Sequence, residues 1–100
     1  MNNKYQILGL MYASKNLAIG QDGVLAAVRS DKAKYVLISS SASSRTIKTI
    51  TDKCNFYNVK YAIIDEDGQM AKAIGKSTVM AVSTNSSGFA KKMEELNKGE

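Results

Sequence analysis

The stretch Tyr35-Val36-Leu37-Ile38, residues 35–38, decides the fold. Its four consecutive apolar residues run without polar alternation, the pattern of a strand covered on both faces rather than one with a wet side. Two further runs are of the same kind, Tyr61-Ala62-Ile63-Ile64 and Thr78-Val79-Met80-Ala81-Val82, and Leu17-Ala18-Ile19 is a shorter fourth. Apolar residues at helical spacing fill the intervals. Val24, Leu25 and Val28 give one face of a helix over about 21–30, and Ile47, Ile50, Cys54 and Tyr57 mark a longer one over about 43–57. Met70 and Ile74 mark a third, Phe89, Met93 and Leu96 a fourth, and Ile7, Leu8 and Met11 an opening helix over about 3–15. Strands alternating with helices predict βαβ units. The expected architecture is α/β, a three-layer α/β/α sandwich on a mixed, mostly buried four-stranded sheet.

The punctuation between these elements agrees with that order. Gly20 to Gly23, Ser39 to Ser44, Asp65-Glu66-Asp67-Gly68 and Ser83 to Gly88 all fall where a strand hands over to a helix, and Ser and Asn there are capping candidates. No internal repeat or interdomain linker divides the chain. One hundred residues, 44% apolar and 23% charged, predict a single domain over 1–100 with its own core. A lone cysteine, Cys54, cannot form an internal disulfide, which favours a reducing compartment. The first apolar stretch is broken by Ser14-Lys15-Asn16, too soon for a membrane span, and no cleavage pattern follows it. The expectation is a monomeric cytoplasmic protein with no membrane partner.

Catalytic chemistry finds little to work with. There is no histidine, so the commonest general base and metal ligand is missing. Cys54 recurs at core spacing, which reads as packing rather than as a nucleophile. Structural zinc needs several Cys or His ligands. Asp65, Glu66 and Asp67 follow a strand, where carboxylates sometimes hold Mg²⁺; in the first turn of a helix they more simply complement its dipole. Neither a phosphate-binding lysine loop nor Gly-x-Gly-x-x-Gly is present. The expectation is a protein without cofactor, metal or catalytic residues, and so not an enzyme.

Charge and glycine point elsewhere. The net charge is +5, and it is uneven: residues 1–60 carry nine Lys or Arg against three Asp, whereas residues 61–100 carry five Lys against six acids. A basic half attracts phosphate polyanions. Ile19-Gly20-Gln21-Asp22-Gly23 sits where a strand turns into a helix, whose first N–H groups suit a phosphate or a base edge. Gly75-Lys76-Ser77-Thr78 pairs a cation with small donors before the last strand.

Together these segments are similar to the L-seven-Ae/L-thirty-e ribosomal-protein superfamily and to its bacterial YlxQ-type branch. Leu8-Gly9-Leu10 followed by Ile19-Gly20 resembles the family's opening helix and the glycine that starts its RNA-reading helix. Ala27-Val28-Arg29-Ser30 and Lys32-Ala33-Lys34, running into Val36-Leu37-Ile38, resemble its second helix and central strand. Ala42-Ser43 with Thr51-Asp52-Lys53-Cys54 resembles the branch's long helix, and Ala73-Ile74-Gly75-Lys76 its second RNA-facing loop. The resemblance implies non-catalytic binding of structured RNA, ribosomal RNA among the candidates, with a kink-turn as target: a sharply bent internal loop built on tandem sheared G·A pairs. It implies RNA contacts from Gly20, Gln21 and Asp22 at the helix start and from Gly75, Lys76, Ser77, Thr78 and Val79 in the loop. Lys15, Arg29, Lys32, Lys34 and Arg45 are the candidate phosphate contacts. A side chain placed at Gly20 is expected to harm binding more than stability. Where the family usually has an Asn-Glu pair the chain reads Asp22 and Gly23, and a lysine one turn on is Ala26. The alternative expectation is therefore a protein-interaction module on the same fold, with RNA recognition lost.

Overall fold

The computed structural model describes residues 4–64 and 67–98. Nine elements follow in order: α1 (Lys4–Ala13), β1 (Leu17–Ile19), α2 (Gly20–Arg29), β2 (Tyr35–Ser39), α3 (Ser44–Tyr57), β3 (Tyr61–Ile64), α4 (Gln69–Ala73), β4 (Ala81–Thr84) and α5 (Ser87–Lys98). The strands form one sheet in the order β1-β4-β2-β3. β2 and β3 are parallel, joined through α3, while β4 runs antiparallel to both of its neighbours. The sheet is mixed because β4 enters from the end at which β1, β2 and β3 finish.

Each face of the sheet carries its own core. On one, Leu8 and Met11 of α1, Met70 and Ala71 of α4, and Met93 of α5 close over Leu37 and Val82. On the other, Val24 and Val28 of α2 and Ile50 and Cys54 of α3 close over Val36, Ile38 and Ala81. Leu37 and Ile38 face opposite ways, as neighbours on a strand must, and both are buried because helices cover both faces. This is the expected α/β/α sandwich. Each large apolar side chain so enclosed contributes roughly 1.5–3 kcal/mol. Among the described residues, no helix is long and apolar enough to cross a membrane.

Helix ends follow local chemistry. Ser43 caps α3, its hydroxyl accepting from the Thr46 N–H at 3.1 Å, and Asn58 closes that helix in the left-handed region at φ +59°.

Two expectations about strands need correction. The last strand covers Ala81–Thr84 rather than 78–82. Val79 is apolar because it is a core residue, packed with α1, α4 and α5 from a non-strand segment, and hydrophobicity registers burial whether or not a ladder is present. The strand instead runs on through Ser83 and Thr84, polar yet buried, because β4 is central and its backbone is paired on both sides. The Tyr61–Ile64 run is also not enclosed: β3 is an edge strand, and Ile63 is 48% exposed. Tyr57, expected in the core, lies at the surface with its ring edge-on to Phe56 at 4.9 Å.

Candidate functional site

Strand register brings the start of α2 and the residue that leads into β4, Met80, to one end of the molecule. Ile19, the last residue of β1, pairs with Val82 of β4, so Gly20 lies level with the point where β4 begins. Across β4, the Ser39 N–H donates to the Met80 carbonyl at 2.7 Å, and the Ser40 N–H donates to the Ile64 carbonyl at 2.8 Å. The start of α2, the Ser40–Ser43 loop and the segment leading into β4 therefore share this end of the sheet. Arg45, in the first turn of α3, joins them.

Gly20 is the hinge between β1 and α2. Its φ of +83° lies in the left-handed region, while Ile19 before it is extended. No side chain caps this helix start. A Cβ built on Gly20 would meet nothing within 4 Å, so the backbone here faces open space. The first N–H groups of a helix have no partner within it, and these lie at an uncapped start. Asp22 is exposed beside them in the first turn. Gln21 is held: its Oε1 accepts from the Thr46 hydroxyl at 3.0 Å, and Thr46 in turn accepts from the Ser43 hydroxyl at 3.0 Å. This relay ties the start of α2 to the start of α3. Sequence reading missed Thr46, since nothing in a Ser/Thr-rich stretch tells which hydroxyl meets residue 21.

The second glycine segment is built differently from the first. Gly75, at φ +72°, ends α4: its N–H donates to the Lys72 carbonyl at 3.3 Å and the Lys76 N–H to the Ala71 carbonyl at 2.9 Å. That pair of bonds is the Schellman closure of a helix, which requires a left-handed residue where Gly75 stands. Ser77 and Thr78 are exposed. Val79 is 5% exposed, its side chain committed to the core. The Lys76 ammonium lies 5.7 Å from the centre of the Tyr12 ring, on the last turn of α1. That cation–π contact draws the charge toward α1 rather than toward Gly20.

Four of the five candidate phosphate contacts lie at the opposite end. The Lys34 N–H donates to the Thr84 carbonyl at 2.7 Å, and the Asn85 N–H donates to the Asn16 carbonyl at 2.9 Å, so the last residues of β4 mark that end. Lys15 stands in the turn before β1, Arg29 in the last turn of α2, and Lys32 and Lys34 in the link to β2. A helix of ten residues spans about 15 Å, which separates Arg29 from Gly20. Only Arg45 remains beside the helix start.

Of the groups considered for catalysis, Cys54 sits in the body of α3. It is buried there, and its thiol is pushed up from 9.0 to about 11 by burial, so it keeps its proton at neutral pH. Asp65 and Glu66 lie outside the described residues. Among the described residues, no cluster of three or more Asp, Glu, Cys or His side chains is placed to hold a metal ion.

A four-stranded mixed sheet covered by helices on both faces, with a glycine-opened, uncapped helix at one end, defines the chain as a small α/β/α sandwich protein. Within that class the assignment is specific. The sequence profile of the Ribosomal protein L7Ae/L30e/S12e/Gadd45 family matches residues 3–94, and the chain belongs to that family. It is 36% identical over 92 residues to the RNA-binding protein YlxQ of Bacillus subtilis (strain 168), covering 92% of each chain. It is 33% identical over 94 residues to the RNA-binding protein YlxQ of Enterococcus faecium, covering 93% of this chain and 89% of that one. Among solved structures it is similar to a protein with unknown function from Bacillus halodurans C (TM-score 0.92, 26% identity, 98% and 99% coverage). The Giardia lamblia 15.5kD RNA binding protein shares the fold (TM-score 0.78, 19% identity, 92% and 85% coverage).

Proposed function

We propose that this protein is a non-catalytic, ribosome-associated RNA-binding protein of the cytoplasm that acts as a monomer on kink-turn-like structured RNA. One observation carries the reading: register sets the uncapped, open backbone at Gly20 at the same end of the sheet as the segment that leads into β4. A splayed internal loop offers base edges and turned-out nucleotides to such a surface. Gly20, Gln21 and Asp22 present backbone N–H groups and one acceptor to base edges. Gly75 to Thr78 add exposed backbone and hydroxyls from the loop that leads into β4, and the buried Val79 anchors that loop to the core. Arg45 supplies a nearby positive charge.

The second reading, a protein-interaction module, is favoured by the charge at the helix starts, where Asp22 in the first turn of α2 opposes Arg45 in the first turn of α3. Titration of a labelled kink-turn RNA, beside the same RNA with its G·A pairs broken, separates the two. Tighter binding to the intact kink-turn by tenfold or more is expected. Equal, weak binding to both RNAs removes the kink-turn reading. No binding to either, with a protein partner captured instead, favours the module.

A further inference from the structure

At the end of the sheet opposite Gly20, four separate segments bring cations together. Lys15 precedes β1, Arg29, Lys32 and Lys34 join α2 to β2, Lys60 precedes β3, and Lys91 stands on the first turns of α5. Asp31 and Glu94 stand among them as opposing charges. Between β2, β3 and α5 lies a cleft of about 400 Å³, walled by Lys34, Lys60 and Lys91 together with Asp31, Glu94 and Tyr57. Lys60 is paired with Glu94 at 3.0 Å, with most of its side chain in solvent. Lys34 reaches only the Asp31 backbone carbonyl, at 3.5 Å, and spends no charge on it.

We propose that this basic end is a second RNA-contacting surface, which takes the phosphate backbone of a duplex in the Lys34–Lys60–Lys91 cleft, so that one molecule bridges two RNA segments. It rests on the RNA reading above for the nature of the polyanion, but concerns a different surface. Three features favour nucleic acid over an acidic protein. Lys34 and Lys60 stand at the ends of the adjacent strands β2 and β3, about 4.8 Å apart, and Lys91 lines the same cleft from α5, a spread of charge that suits a regularly charged polymer. The cleft is open, and about half of its surface is polar. The surplus of positive charge belongs to this end and not to the helix start, so the attraction for phosphate that the sequence carries is exerted here.

The test uses the full chain, a plain RNA hairpin without internal loop, the kink-turn RNA, and polyglutamate as a non-nucleic polyanion. The combined variant Lys34→Gln, Lys60→Gln, Lys91→Gln should weaken hairpin binding by tenfold or more. Its dependence of log affinity on log salt should flatten by about three, since each of the three lost phosphate contacts removes about one. Glu94→Gln, which frees Lys60 and removes a negative charge, should act in the opposite direction and tighten hairpin binding. Two differently labelled RNAs, one hairpin and one kink-turn, should join in a single complex with the native chain and not with the combined variant. Unchanged hairpin affinity and slope in the combined variant, or kink-turn binding without hairpin binding in the native chain, overturns the second surface alone. Polyglutamate bound as tightly as the hairpin also overturns it. Absence of binding to both RNAs overturns it together with the proposed function.

Discussion

Gly20 shows how one residue serves shape and ligand at once. Its left-handed φ of +83° costs an L-residue roughly 1–2 kcal/mol, whereas its missing Cβ would project into open space. A substitution therefore acts through backbone strain rather than crowding, and stability is lost along with binding. The expectation that binding suffers more than stability therefore comes with a measurable loss of stability. Gly20→Ala should lower Tm by roughly 4–16 °C, the range for about 1–2 kcal/mol in a domain of this size. Gly20→Asn should cost less, because asparagine tolerates the left-handed region. Both should weaken kink-turn binding at temperatures where the variant is folded, since both place a side chain over the open helix start. Thermal melts followed by RNA titration check this. An alanine variant as stable as the asparagine one would show that the hinge relaxes to a right-handed conformation.

Among the elements, the buried apolar runs were legible and their ranking was not. Tyr35-Val36-Leu37-Ile38 is central and enclosed as its pattern says, but Tyr61-Ala62-Ile63-Ile64 reads alike and is an edge. Composition records how apolar a strand is, and the sheet order decides which neighbours cover it. Ile38 and Ile63 are register partners on β2 and β3, one fully buried and the other half exposed. Ile38→Ala should therefore cost about 2–5 kcal/mol, as a buried large-to-small change does, and Ile63→Ala should stay near or below 1 kcal/mol. Denaturant unfolding of the two variants measures the difference directly. Comparable losses would mean that Ile63 is covered in solution, by a second chain pairing along the β3 edge. The same logic explains the three-residue offset of β4. Val79 was legible as core, but the absence of strand at residues 78 and 79 is set by where β1 and β2 end, which no local pattern encodes.

At the scale of the whole molecule, the sequence shows that the chain is basic but not which end of it is. Lys15, Arg29, Lys32 and Lys34 fall within twenty residues of Gly20 along the chain, and the direction of β1 and α2 carries them to the far end of the sheet. The result is a polarised molecule: a nearly neutral helix start at one end and a positive surface at the other. Range then decides what the far charges do for a ligand at Gly20. The screening length is about 30 Å at 0.01 M salt and about 8 Å at 0.15 M, while the sheet and α2 set the two ends about 15 Å apart. At low salt the basic end attracts any RNA approaching the molecule; near physiological salt it acts only on RNA that touches it. Lys15, in the turn before β1 and away from the Lys34–Lys60–Lys91 cleft, isolates this long-range effect. Lys15→Gln should slow kink-turn association at about 0.01 M salt and leave it unchanged at about 0.15 M, because charges outside a contact act mainly through the on-rate. Dissociation should be the same as in the native chain at both salts. Stopped-flow mixing at the two concentrations resolves the rates. Faster dissociation of the Lys15→Gln variant at either salt would mean that Lys15 touches the bound RNA, and that the kink-turn lies along the length of the sheet rather than on its Gly20 end.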